Sequence, residues 1–136
     1  MSSTAPAWSR TDDRCYHGTD NSRISVELFT AKRSDPEVLG QLAPNGPAGE
    51  FSWGYIGTGT NTSAKAILSD ALGYEPTQQL WQDFADDVLS QCPAEFRLRR
   101  GAVLRWVRGW ADGYGIANLP EPLRALPPID HTAYRR

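Results

Sequence analysis

The stretch "EFSWGYIGTGTNTSAKAILSDALG", Glu50 to Gly73, decides how this chain is read. Three aromatics alternate at Phe51, Trp53 and Tyr55, glycines stand at Gly57 and Gly59, and then Ala64, Ile67, Leu68, Ala71 and Leu72 recur at helical spacing. The alternation predicts an extended segment that seats aromatics in a core, and the period predicts a helix over Thr60–Leu72, closed by Gly73 as a left-handed cap. The glycines between them are either a phosphate cradle or a hinge. A phosphate loop of the Walker kind needs lysine and a hydroxyl directly after its last glycine, but Lys65 stands six residues past Gly59. A dinucleotide fingerprint needs a third glycine in a βαβ setting, which is missing. The reading is therefore a hinge, in which Gly57 and Gly59 supply unusual backbone angles where the chain turns into the helix.

Working outward, "RCYHGT" and "RISVELF" flank the turn-forming "DNS", and Ile24, Val26 and Leu28 alternate with Ser25 and Glu27, which predicts a β-hairpin over Arg14–Phe29. Residues 31–50 contain three prolines and three glycines and read as a long loop with a helical turn after Pro36. A second helix starts near Pro76 with Leu80, Phe84, Val88 and Leu89 as its stripe, and stops before Pro93. A third spans Arg100–Ala111, burying Val103, Leu104, Val107 and Trp110 while Arg105 and Arg108 point away. The fold expected is α+β: a small antiparallel sheet, a hairpin plus one strand, packed on three helices. Residues 1–13 read as a flexible N-terminus, 14–112 as one domain, and 113–136 as a proline-rich extended tail.

The chain has 136 residues and a formal charge of −2, which argues against a protein coated with basic charge for nucleic acid. No export leader and no apolar run of membrane-spanning length are expected, and the compartment expected is the cytoplasm. Cys15 and Cys92 are distant and unclustered, so neither a disulfide framework nor a zinc site is indicated.

The aromatic and glycine signature, the acidic helix with "LWQDFADDVL" and the "FRL" segment before the last helix resemble a family of small uncharacterised proteins of bacteria, phages and plasmids, catalogued as a domain of unknown function. Its hallmark is FxWGYxGxGP before an alanine- and leucine-rich helix, and the likeness runs from about Tyr16 to Gly109. Thr60 stands where the family often has proline, and Arg99 and Arg100 replace a polar or acidic helix start. The resemblance implies a mobile-element setting and assigns no catalytic residue.

"YHGTD" offers a competing signal. HGT motifs occur in ADP-ribosyltransferases, which would make His17 and Gly18 a grip on NAD, but here a strand follows where those enzymes have a helix. Asp83, Asp86 and Asp87 could be imagined around a divalent ion, yet a solvated acidic face is the commoner meaning. Ser63, Ser69 and Ser90 lack a base beside them, and His131 lies in the tail, so no nucleophile and base pair is proposed. The surface singled out for contact is "RLRRGAVLRWVR", where Arg97, Arg99, Arg100, Arg105 and Arg108 surround Trp106. The function expected is a non-enzymatic accessory protein of a phage or plasmid that acts by protein contact, without cofactor or metal, in a role such as modulating a host defence or regulatory complex. A nucleic-acid-binding accessory protein and an ADP-ribosyltransferase-like enzyme are the alternatives, and the oligomeric state is left open.

Overall fold

The computed structural model describes residues 14–19, 22–28, 36–44 and 50–124. The flexible segment expected over 1–13 lies outside them, as does the end of the tail. Among the described residues the fold is α+β, a four-stranded antiparallel sheet with four helices. Strands β1 (Arg14–Thr19) and β2 (Arg23–Leu28) form the expected hairpin, paired from Arg14 opposite Leu28 to Thr19 opposite Arg23. Ser22 closes it at φ 64°, its amide donating to the Thr19 carbonyl at 3.0 Å. On the core face Tyr16 and Ile24 are fully buried, which is the period-2 pattern read from the sequence.

Two strands differ from expectation. Strand β3 (Glu37–Gln41) lies where a loop with a helical turn was read, between Pro36 and Pro44, and pairs with β2. Its five residues are all exposed, and the register shifts between Val26 and Glu27, so no alternation marks it in the sequence. The aromatic stretch Phe51–Tyr55, expected as a strand, is instead a turn. Gly54 takes φ 89°, which sends Phe51 into the core and leaves Tyr55 54% exposed. The fourth strand is β4 (Phe96–Arg99), the short segment before the last helix, and the sheet order is β3-β2-β1-β4.

Helix α1 (Thr58–Leu72) starts two residues before the expected Thr60 and ends at Gly73, whose φ of 83° makes it the left-handed cap foreseen. Helix α2 (Gln78–Asp87) begins after Thr77, whose hydroxyl accepts from the Leu80 amide at 3.3 Å. A single 3-10 turn, Leu89–Gln91, then carries the chain toward Pro93. Helix α3 (Arg100–Gly113) packs on β1, β4 and α1, and α1 packs on α2. The core joins Tyr16 and Ile24 of the sheet to Ile67 and Leu68 of α1, Phe84 of α2 and Leu104 of α3.

The segment read as an extended tail from residue 113 includes a fourth helix, α4 (Glu121–Arg124), and its Leu123 enters the core at 3% exposure. The apolar side chain of Leu123 finds a slot beside α3, which a proline-rich composition conceals. Arg100 is also a correction, since a residue expected at a contact surface is buried. Its Nε donates to the Ala71 carbonyl at 2.8 Å, placing a cation on the C-terminal carbonyls of α1.

Candidate functional site

The turn after Phe51 is built from hydrogen bonds inward and side chains outward. Phe51, 5% exposed, anchors its start. The Ser52 amide donates to the Ser63 hydroxyl at 3.1 Å and to the Gly59 carbonyl at 3.2 Å, and the Ser63 hydroxyl donates to the Ser52 carbonyl at 2.8 Å. Trp53 donates from Nε1 to the Ala94 carbonyl at 3.1 Å and meets the Phe96 ring edge-on, 4.9 Å between centroids. The Gly54 amide donates to the Leu89 carbonyl at 2.9 Å, and the Thr60 hydroxyl donates to the Tyr55 carbonyl at 2.7 Å. Both shoulders of the loop are thus fixed to α1 and to the 3-10 turn. Its tip is not covered: Tyr55 is 54% and Ile56 73% exposed. The result is a rigid knuckle, Trp53 to Gly57, that presents an apolar pair at the entry of α1. Sequence reasoning placed Tyr55 in the core and passed over Ile56, although an isoleucine between glycines in a turn is itself unusual where loops favour polar residues.

The two glycines behave differently from a hinge of unusual angles. Gly57, the N-cap of α1, is extended at φ −179°, and Gly59 lies within the helix. What Gly59 supplies is close approach, because a Cβ there would fall inside van der Waals contact of the Ser52 hydroxyl. The positive φ belongs to Gly54.

On the face of the sheet opposite the helices, His17 sits between two carboxylates. Its Nδ1 is 2.7 Å from Glu27 Oε2 and its Nε2 is 2.6 Å from Glu95 Oε2. Arg97 donates from Nε to the other Glu27 oxygen at 3.2 Å. The bond from His17 holds the Glu95 carboxyl below the usual carboxylate range. The arrangement ties β1, β2 and β4 together around Glu27, which is 5% exposed. Gly18 faces the other way, beneath the Phe96 ring, with no room for a Cβ. The geometry thus gives the transferase reading no support: His17 is held by carboxylates and Gly18 is capped by an aromatic ring.

The arginines do not converge. Arg97 and Arg99 pair in register with His17 and Cys15, so they emerge on the sheet face opposite Tyr16 and the helices. Arg105, Trp106 and Arg108 belong to α3 on the other side. Arg105 is partly buried and folds back to within 3.5 Å of where a Gly101 Cβ would stand. Trp106 packs edge-on against Phe84 at 5.1 Å, and Arg108 donates to the Leu123 carbonyl at 3.0 Å. Asp83, on the acidic face of α2, is engaged by groups other than these arginines. Asp83 accepts from Trp110 Nε1 at 2.8 Å, the Tyr114 hydroxyl at 3.1 Å and the Gln79 amide at 2.9 Å, and these bonds, Trp110 foremost, hold its carboxyl below the usual range.

Among the described residues, no group of three or more His, Cys, Asp or Glu could hold a metal ion, and no helix is long and apolar enough to cross a membrane. Cys15 is buried and Cys92 partly so, and burial pushes the Cys92 thiol up.

Comparison with known families matches residues 16–109 to a family of unknown function, DUF6166. The chain belongs to DUF6166. The matched span begins at Tyr16 of β1, contains the whole knuckle, and ends within α3 at Gly109, so the sheet, α1 and α2 lie in the DUF6166 region while α4 lies beyond it. No curated protein and no solved structure matches the chain.

Proposed function

We propose that this DUF6166 chain acts by contact, through the Trp53–Gly57 knuckle, on a protein partner that offers an apolar pocket to Ile56 and the Tyr55 ring. The observation that carries this reading is the 73% exposure of Ile56 at the tip of a loop whose two shoulders are hydrogen-bonded to the body. A single exposed apolar side chain is ordinary. Two adjacent ones on a backbone already fixed are favourable for binding, because little ordering cost remains when they are buried. Burying an isoleucine is worth about 1.5–3 kcal/mol, and tyrosine is among the residues enriched at the centres of interfaces.

The accessory role in a phage or plasmid that the family resemblance implies belongs to the same proposal, with a host defence or regulatory complex as the target. The arginines lend less to a nucleic-acid reading, because Arg97, Arg100 and Arg108 are engaged within the fold. The test is a photo-crosslinking residue placed at position 56 in living host cells, with the exposed position 102 on α3 as control. A discrete adduct at 56, absent at 102 and absent when Tyr55 is also changed to aspartate, is the expected result. Equal labelling at both positions, or none at 56, would overturn the knuckle as the contact, and the identity of the adduct decides the accessory role.

A further inference from the structure

The sheet ends on one side in β3, and this edge differs from the other. Strand β4 runs directly into α3, whereas all five residues of β3 are exposed, Val38 at 60% and Leu39 at 50%. Natural edge strands are commonly guarded by lysine, by proline within the strand, by inward charges or by a bulge, and of these β3 has the bulge alone, at the register shift opposite Val26 and Glu27. Glu-Val-Leu-Gly-Gln has one charge, at its first residue, and its prolines lie outside it at 36 and 44. Nothing stands within 4 Å of where a Cβ on Gly40 would be. Beside the strand, on the helix side, opens a groove of about 240 Å³ lined by Leu39, Gly40, Leu42, Val26 and the ion pair of Arg14 with Asp70 at 2.9 Å.

We infer that β3 and this groove form an interface for a second copy of the chain, which adds its own β3 antiparallel across a two-fold axis and extends the sheet. The occupant follows from three features. An edge of unpaired peptide groups is satisfied by another extended backbone. The strand that lines the groove also carries the exposed Leu39 that suits it, so one surface provides both recess and projection, and a two-fold operation satisfies both copies at once. Charge sets the direction: antiparallel pairing brings Glu37 of one copy toward the Gln41 end of the other, while parallel pairing would set the two Glu37 carboxylates side by side. This interface is separate from the knuckle, which remains exposed in the dimer and available to a partner.

Sedimentation velocity and light scattering on the full chain, over a range from low to high micromolar, test the inference. The expected result is a concentration-dependent species of twice the 15.0 kDa chain mass. Amide exchange at Val38–Gln41 should slow as concentration rises, while Tyr55 and Ile56 are unchanged. Leu39→Lys and Val38→Lys should each weaken the dimer about tenfold or more, the equivalent of roughly 1.4 kcal/mol, and leave the far-ultraviolet circular dichroism of the chain intact. A single mass at all concentrations overturns the proposal. So does a dimer that survives both lysine variants and is broken by Ile56→Asp, or a monomer that takes an unrelated extended peptide at β3.

Discussion

Gly59→Ala sets two known effects against each other at one atom. The glycine is the second residue of α1, and a methyl group there would fall inside contact of Ser52 Oγ and lie 3.0 Å from Ser52 Cβ. Alanine gains about 1 kcal/mol over glycine in a helix interior, from reduced unfolded-state freedom, and somewhat less so near its start. Against this, the Ser52 hydroxyl must leave its 2.9 Å contact with the Tyr55 hydroxyl, a loss of about 0.5–1.5 kcal/mol, and an off-rotamer χ1 costs about 0.5–1.5 kcal/mol more. The sum is a net loss of about 1 kcal/mol for alanine. Valine adds branched bulk in a packed place and should lose about 2–4 kcal/mol, since overpacking costs about 1–3 kcal/mol. Chemical denaturation followed by tryptophan fluorescence measures each. The decisive variant is Ser52→Gly with Gly59→Ala, in which the obstructing atoms are gone: there the alanine should be neutral or stabilising relative to Ser52→Gly alone, a coupling of about 1 kcal/mol or more. An equal loss in both backgrounds would refute close approach as the reason for Gly59. Unchanged stability together with lost nucleotide binding would restore the phosphate cradle.

Phe84, 1% exposed and stacked edge-on to Trp106, should cost about 3–5 kcal/mol when cut to alanine, measured as a shift in denaturation midpoint, and an unchanged midpoint would remove it from the core. Arg108→Glu should destabilise by about 1.5–3 kcal/mol through loss of its bond to the Leu123 carbonyl, whereas Arg105→Glu should stay within about 0.5 kcal/mol; equal effects would show that α4 does not depend on Arg108. Asp83 has a depressed folded value, so the unfolded chain binds its proton more readily, and its stabilising contribution is full above about pH 4 and fades as pH falls through the folded value. Asp83→Asn should therefore lose less stability than the parent between neutral pH and about pH 3, and identical acid profiles would discount the Trp110 bond.

How much of this was legible depends on whether a residue's partner is near in sequence or far. The hairpin could be read because Ile24 and Val26 alternate against a local turn, and α1 because its apolar period ends in a glycine that only a left-handed cap requires. Strand β3 could not, since it is exposed throughout and bulged against β2, so neither alternation nor burial marks it. The aromatic alternation at Phe51, Trp53 and Tyr55 was misleading for a local reason: Gly54 at positive φ sends successive rings to the core, to the boundary and to solvent. The Tyr55–Ile56 tip became visible only once the bonds from Ser63, Thr60 and Leu89 were seen to converge on the loop, and each of those residues is remote from the tip or hidden within a polar helix start.

The arginine cluster illustrates why charge density along a sequence is a poor guide to a surface in this chain. Adjacent residues of a strand face opposite sides, so Arg97 and Arg99 leave the sheet away from the helices while Leu98 between them faces Tyr16. Arg100, one residue further, begins a helix and turns into the body to meet Ala71. Charges here act largely as ties between elements: Arg14 and the Tyr16 hydroxyl meet on one oxygen of Asp70, joining β1 to α1 at 2.9 and 2.6 Å, and Glu27 is held by His17 and Arg97 across three strands. Removing one member of such a set leaves a buried group without its counterpart, which costs more than the bond itself contributed. A search for contact by charge reversal at these positions would therefore read unfolding as loss of binding. Substitutions at Ile56, Val38 and Leu39, whose side chains are mostly in solvent, separate the two effects and are the informative places to perturb.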